Sequence, residues 1–199
     1  MIAEFLRTLP QRHIISAAGE MLKLALVSKT NLFSLLKNSP NDWIHNQEFL
    51  NDVINISVKE KLILLGNNCF ERDLKRPLNL GHSVAHPLED LTDFKILHGE
   101  AVAYGVLIAS NISLQRNIIS DQYYNEILTV ASRLGLAMSI KNIDRKLLWE
   151  RIRRLIHQRG GKGLLYVLPT KPGSVQIVQD ITQQELFTAI DSLEKESLE

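Results

Sequence analysis

The chain has 199 residues, 45% hydrophobic and 23% charged, with a net charge of +1. That composition suits one globular domain with a sizeable core, and the near-zero charge gives no field for nucleic acid or an anionic membrane. A single cysteine, Cys69, excludes an internal disulfide, and no apolar run reaches membrane-spanning length. The N-terminal MIAEFLRTLP carries Glu4 and Pro10 and does not read as a signal peptide, so a cytoplasmic soluble protein is the expectation.

Arg12 to Lys29 reads as a helix, with Ile14, Ile15, Ala18, Met21, Leu22 and Ala25 on one stripe and Glu20 and Lys23 as surface neighbours three apart. Thr30 is the expected N-cap of a short helix to Leu36, and Asn38 to Asp42 is a turn. A longer helix is expected from Asn46 to Leu65, stopped by Gly66-Asn67-Asn68. Pro77 opens a central helix, Asn79 to Leu91, in which Pro87 predicts a kink or break after His86. Ala101 to Gln115 and Asp121 to Leu134 are expected as amphipathic helices, and Asp144 caps another to about His157. After the Gly160–Gly163 breaker, Leu164 to Leu168 and Val175 to Val178 read as a small hairpin around Pro169 to Gly173. Thr182 and Glu185 form a capping box for the last helix, Gln183 to about Leu193. The expected fold is a mostly α, multi-helix domain with one small β-hairpin, spanning residues 1–199 as a single unit. No G-x-G-x-x-G or P-loop is present.

The chemistry concentrates in Leu78 to Gly105, LNLGHSVAHPLEDLTDFKILHGEAVAYG. His82 and His86 are four apart, on one helix face, and His98 opens the next helix. His82, His86 and His98 suffice as a three-histidine metal set, and Glu20, Glu89 or Glu100 could replace one of them. The alternative is three surface histidines with no common role. Lys23, Lys61, Lys75 and Arg76 are amines with no obvious sequence partner; beside a metal they would suit an anionic substrate.

Four ordered segments carry a resemblance. Phe5-Leu6-Arg7-Thr8-Leu9-Pro10, Gly19-Glu20-Met21-Leu22-Lys23, Leu78-Asn79-Leu80-Gly81-His82-Ser83-Val84-Ala85-His86 and His98-Gly99-Glu100-Ala101-Val102-Ala103 closely resemble the 3-dehydroquinate synthase family. The resemblance implies that Glu20, His82 and His98 hold Zn2+ or Co2+, and that His86 is catalytic beside the substrate. It puts Lys23, Lys61 and Asn79 on substrate-contacting positions, with Lys75 where the family has a carboxylate-gripping arginine. It further implies a metal-dependent lyase that converts 3-deoxy-D-arabino-heptulosonate 7-phosphate to 3-dehydroquinate and phosphate in the shikimate pathway, using NAD transiently. Its products lead to aromatic amino acids. It implies a sugar phosphate as the small-molecule partner, a homodimer, and no involvement of nucleic acid or membrane.

The family's N-terminal, Rossmann-like NAD domain is not in this sequence, so the resemblance is to the C-terminal metal-binding domain alone. The family's "DKK" falls near Ile156-His157-Gln158, leaving Arg159 or Lys162 as replacement anion contacts. Lysine is a point charge where arginine is a fork. That keeps open related cyclases of the 2-deoxy-scyllo-inosose or valiolone type, and a truncated domain inactive without an NAD-binding partner. A polyol dehydrogenase of related fold is disfavoured by the Asn79/His82/His86 and HGEAV motifs.

Overall fold

In the computed structural model, residues 3–66, 76–137, 139–140, 143–158 and 165–196 are described. Lys75, Cys69, Asn67, Asn68, Arg159 and the Gly160–Gly163 breaker with Lys162 lie outside them. Eight α-helices and one hairpin make up the described chain: α1 Gln11–Val27, α2 Leu32–Lys37, α3 Gln47–Leu65, α4 His82–Leu91, α5 His98–Gln115, α6 Asp121–Arg133, α7 Arg145–Gln158, β1 Tyr166–Lys171, β2 Ser174–Val178 and α8 Gln183–Glu196. The mostly helical reading with one hairpin holds.

α5 is the axis of the domain. It packs against α1, α4, α6, α8 and β1. Gly99 and every residue from Ala101 to Ser113 are buried. It is therefore buried on all sides rather than amphipathic as the sequence suggested. Its Gly, Ala and Ser content is the reason, because small side chains let five neighbours approach one helix from different directions. α1 lays Ala18, Leu22 and Leu26 into the core, and α4 contributes Val84, Ala85 and Leu88. Burial on this scale stabilises at about 25 cal/mol per Å² of apolar surface, and it holds the site-bearing helices in register.

The caps follow from the sequence in most places. Asn46 accepts from Phe49 N, Ser120 from Tyr123 N, and Asp144 Oδ1 from Lys146 N and Leu147 N. The Thr182/Glu185 capping box is present in both directions, Thr182 N donating to Glu185 Oε2 at 2.8 Å and Glu185 N to Thr182 Oγ1 at 3.2 Å. Thr30 is one residue further out than expected: Asn31 is the N-cap, and the Thr30 hydroxyl accepts from Leu32 N.

Three expectations need correction. The central helix does not begin at Asn79. Pro77–Asn79 is a 3-10 turn, Gly81 stands at φ 81°, and α4 opens at His82. A left-handed residue cannot sit inside a helix. Gly81 is placed so because a Cβ there would come within 2.7 Å of Val102 O on α5. Nor does the helix stop after His86. Pro87 lacks an N–H for only one bond, that to Ser83, and α4 runs on to Leu91 with Val84, Ala85 and Leu88 buried on both sides of the proline. The hairpin is longer than read. β1 continues through Pro169 to Lys171, Tyr166 faces Val178, and the turn is at Pro172-Gly173, with Gly173 at φ 70°. In a two-stranded ribbon both strands are edges, where proline is tolerated. Gly173 N donates to Leu26 O, which docks the turn on the end of α1.

Candidate metal centre

The first turns of α4 and α5 meet the middle of α1 where glycines permit close backbone contact. A Cβ on Gly19 would meet Gly99 O at 2.0 Å, one on Gly99 would meet Ser16 O at 1.8 Å, and one on Gly105 would meet Gly81 O at 2.1 Å. Each contact lies next to a candidate ligand. Glu20 follows Gly19 on α1, His82 follows Gly81 at the start of α4, and His98 precedes Gly99 at the start of α5. The same small residues that let α1, α4 and α5 cross thus bring these three side chains together.

Glu20 is the hub. Its Oε1 lies 3.7 Å from His82 Nε2 and 3.8 Å from His98 Nε2. These separations are too long for hydrogen bonds. They suit an ion seated between the groups, since two ligands bound tetrahedrally at Zn–N and Zn–O lengths stand about 3.4 Å apart. The three ligand atoms lie within 4.8 Å of one another. The other nitrogen of each ring is already committed. His98 Nδ1 is 3.1 Å from Glu89 Oε1, and His82 Nδ1 is 3.2 Å from Leu80 O. A carboxylate and a carbonyl only accept, so Nδ1 carries a proton in both rings, which leaves Nε2, facing Glu20, as the atom available to ligate. This is the outer-shell pattern that fixes tautomer and ring direction in metal-binding histidines.

Charge agrees with the geometry. Burial, then the Lys23 ammonium, pushes His82 down to about 4, so the ring is neutral and free to ligate at neutral pH. Burial works to raise the Glu20 carboxyl, but Lys23, His82 and Lys61 outweigh it, and Glu20 stays below the usual carboxylate range. Burial lowers the Lys23 amine, and the Glu20 ion pair opposes that.

His82, His86 and His98 do cluster, with ring centroids 5.2, 5.3 and 6.0 Å apart. A second donor group, His86, Glu89 and His98, also fits within 4.8 Å. It shares His98 with the first, and Glu89 is the group that holds the His98 Nδ1–H. Glu100, one of the sequence alternatives, is turned away: both its oxygens pair with Arg12, and Oε2 also accepts from Leu97 N.

Lys23 and Lys61 are not without partners. Lys23, only 2% exposed rather than on the surface, lies 3.0 and 2.8 Å from the two Glu20 oxygens, and the half-exposed Lys61 lies 3.6 Å from Oε2. Asn79 accepts from Arg76 Nε at 3.3 Å. His86 is exposed on the outer side of the cluster. Residue-type reasoning missed three roles here. Glu89 orients His98, and its place seven residues after His82 on the same helix face was the available signal. Arg76 stands beside Asn79, close enough to Lys23 to depress its amine. The Leu80 carbonyl becomes a partner only because Gly81 breaks the helix, which has no side-chain signal.

Fold and site together define a helical domain that gathers one carboxylate and two imidazoles as a candidate metal centre. The family described as 3-dehydroquinate synthase C-terminal matches residues 17–157, and the chain belongs to that family. It is 34% identical to a 2-epi-valiolone synthase of Stigmatella aurantiaca, over 96% of this chain and 50% of that one. It is 29% identical to a 3-dehydroquinate synthase of Campylobacter concisus, over 94% and 53%. The solved structure of ValA, a 2-epi-5-epi-valiolone synthase from Streptomyces hygroscopicus with NAD+ and Zn2+ bound, superposes with a TM-score of 0.90 at 27% identity, covering 98% of this chain and 54% of that one. The chain spans about half the length of the curated relatives it matches. No described helix is long and apolar enough to cross a membrane.

Proposed function

We propose that this chain is the metal-binding half of a sugar-phosphate cyclase, with Glu20, His82 and His98 as the protein ligands of Zn2+ or Co2+. The observation that carries the reading is the convergence of Glu20 Oε1 and two Nε2 atoms, left available to ligate because Glu89 and the Leu80 carbonyl engage the other nitrogen of each ring. One carboxylate and two imidazoles, with an open fourth position, is a catalytic donor set. When bound, the metal acts as a Lewis acid that polarises a substrate oxygen.

The chain's own residues supply the rest. Lys23 balances the Glu20 charge from the buried side, and Lys61, Arg76 and Asn79 offer an anion-binding rim. Lys75, next to Arg76 in sequence, is read as a further substrate contact on the family resemblance alone. His86, exposed beside the ligands, moves a proton at the substrate hydroxyl or phosphate. Among the described residues the only sheet is the hairpin, which gives no dinucleotide cradle. NAD, which supplies reversible hydride transfer, belongs in this reading to the part of the enzyme that relatives possess beyond this chain's span. The working enzyme is a cytoplasmic homodimer.

The first substrate reading is 3-deoxy-D-arabino-heptulosonate 7-phosphate, closed to 3-dehydroquinate with loss of phosphate, a shikimate-pathway step. Retention of Asn79 and His86 in the family motif supports it. The second is a valiolone-type cyclase, favoured by the 34% identity to a 2-epi-valiolone synthase. The test is product identification with the domain-complete enzyme, offered the seven-carbon acid phosphate and sugar phosphates that lack a carboxylate in parallel. A carbocyclic acid plus phosphate supports the first reading, and a carbocycle from a sugar phosphate without a carboxylate supports the second. No cyclisation of either would overturn the cyclase assignment.

A further inference from the structure

Arg12 is exposed and eight residues upstream of Glu20, yet it makes three bonds to the neighbourhood of His98. Its Nε donates to Glu100 Oε1 at 2.7 Å and its Nη2 to Glu100 Oε2 at 2.8 Å, and Nη2 also reaches Lys95 O at 2.9 Å. Glu100 in turn accepts from Leu97 N at 2.9 Å, the residue that caps α5. These bonds gather one short stretch. Asp93 and Phe94 carry positive φ angles of 48° and 57°, a strained return from α4 to α5. His98 is the first residue of α5, and its Nδ1 bridges back across this return to Glu89. Packing at Gly19 and Gly99 fixes how closely α1 and α5 approach, but not how the first turn of α5 is rotated or where the return lies.

We propose that Arg12 and Glu100 are positioning residues for the metal centre: their bidentate pair ties the first turn of α5 to α1, and so sets His98 Nε2 against Glu20. The inference rests on the metal reading of Glu20, His82 and His98. Neither residue would touch metal or substrate. Arg12 is exposed, and exposed ion pairs contribute little to global stability. A planar fork with a third bond to Lys95 O therefore acts locally, on the direction of one ligand.

The test is Zn2+ affinity of the full 199-residue chain, measured by competition with a chromogenic chelator, together with helical circular dichroism and melting temperature. Arg12→Gln and Glu100→Gln should each weaken Zn2+ binding about 10- to 100-fold, the usual effect of losing an outer-shell partner. Arg12→Lys, which keeps the charge but not the fork, should fall between the parent and Arg12→Gln. Melting of the metal-free Arg12→Gln variant should stay close to the parent. Lys37→Gln, which breaks an ion pair to Glu126 on α2 and α6 where no ligand sits, should leave affinity unchanged. Parental affinity in folded Arg12→Gln would overturn the positioning role and leave the metal site standing. A parent chain that binds no Zn2+ would overturn the metal reading, and this inference with it.

Discussion

Gly99→Ala tests whether a helix crossing sets the metal geometry. The added Cβ would lie 1.8 Å from Ser16 O and 2.9 Å from Ser16 Oγ, whereas ordinary contact begins at 3.4 Å. The backbone of α1 and the start of α5 must therefore part by somewhat more than ~1 Å, because a carbonyl in mid-helix cannot swing aside as a flexible side chain can. Overpacking of this kind costs about 1–3 kcal/mol. The larger effect falls on the site. His98 adjoins Gly99, and Glu20 lies one helical turn beyond Ser16. Metal–ligand distances tolerate only about ±0.2 Å. Zn2+ affinity should drop at least about 100-fold, well beyond what the stability loss alone produces in a chain that remains folded. Chelator competition measures the affinity, and thermal melts of the metal-free protein measure the stability. A folded Gly99→Ala chain with affinity within a few-fold of the parent would refute the claim that the α1–α5 contact sets the ligand separation.

Other outcomes follow from the same geometry. His86→Ala should abolish turnover of the domain-complete enzyme while Zn2+ stays bound; loss of metal in that variant would restore the three-histidine site. Glu20→Ala should destabilise the metal-free chain by roughly 3–5 kcal/mol in urea melts, because it strands the buried Lys23 ammonium. Adding Lys23→Met should recover most of that loss without restoring Zn2+ binding, and a double variant no more stable than the single would contradict the buried pair. Stability of the metal-free chain should also fall as pH drops. His82 titrates near 6.5 when unfolded and at about 4 when folded, so the unfolded state takes up its proton first and folding weakens between those values. Glu20, whose folded carboxyl is also depressed, adds a loss in the same direction at lower pH. Removing the ring with His82→Asn should flatten the slope between pH 6.5 and 4, as equilibrium denaturation across that range would show.

Much of this candidate site was legible from residue types because its histidines give strong local signals. Histidines four apart on one helix, and a histidine at the next helix start, are properties of spacing. Spacing alone could not choose among the three histidines or among Glu20, Glu89 and Glu100. That choice depends on which oxygen and which ring nitrogen are already engaged: Arg12, eighty-eight residues away in sequence, takes Glu100, while Glu89 takes His98 across the α4–α5 return and Lys23 takes Glu20 one turn along α1. The helices were found by period and caps, but the break at Gly81 was not, because it is forced by contact with α5 twenty residues on. Nor does Pro87 end α4, as one of its two sequence readings had it. Its local cost is one hydrogen bond, and the buried face of α4 outweighs it. The all-round burial of α5 was also hidden, since small residues can as readily mark a loosely packed surface as a crowded axis.

The central claim is that Glu20, His82 and His98 bind one metal ion. Metal analysis of the purified chain after exposure to Zn2+, with X-ray absorption at the zinc edge, tests it directly. The account predicts one zinc per chain in a nitrogen/oxygen shell containing two imidazoles, and loss of bound zinc in Glu20→Gln, His82→Asn and His98→Asn but not in His86→Asn. A chain that takes up no zinc, or whose zinc survives Glu20→Gln and His98→Asn and departs with His86→Asn, would contradict it.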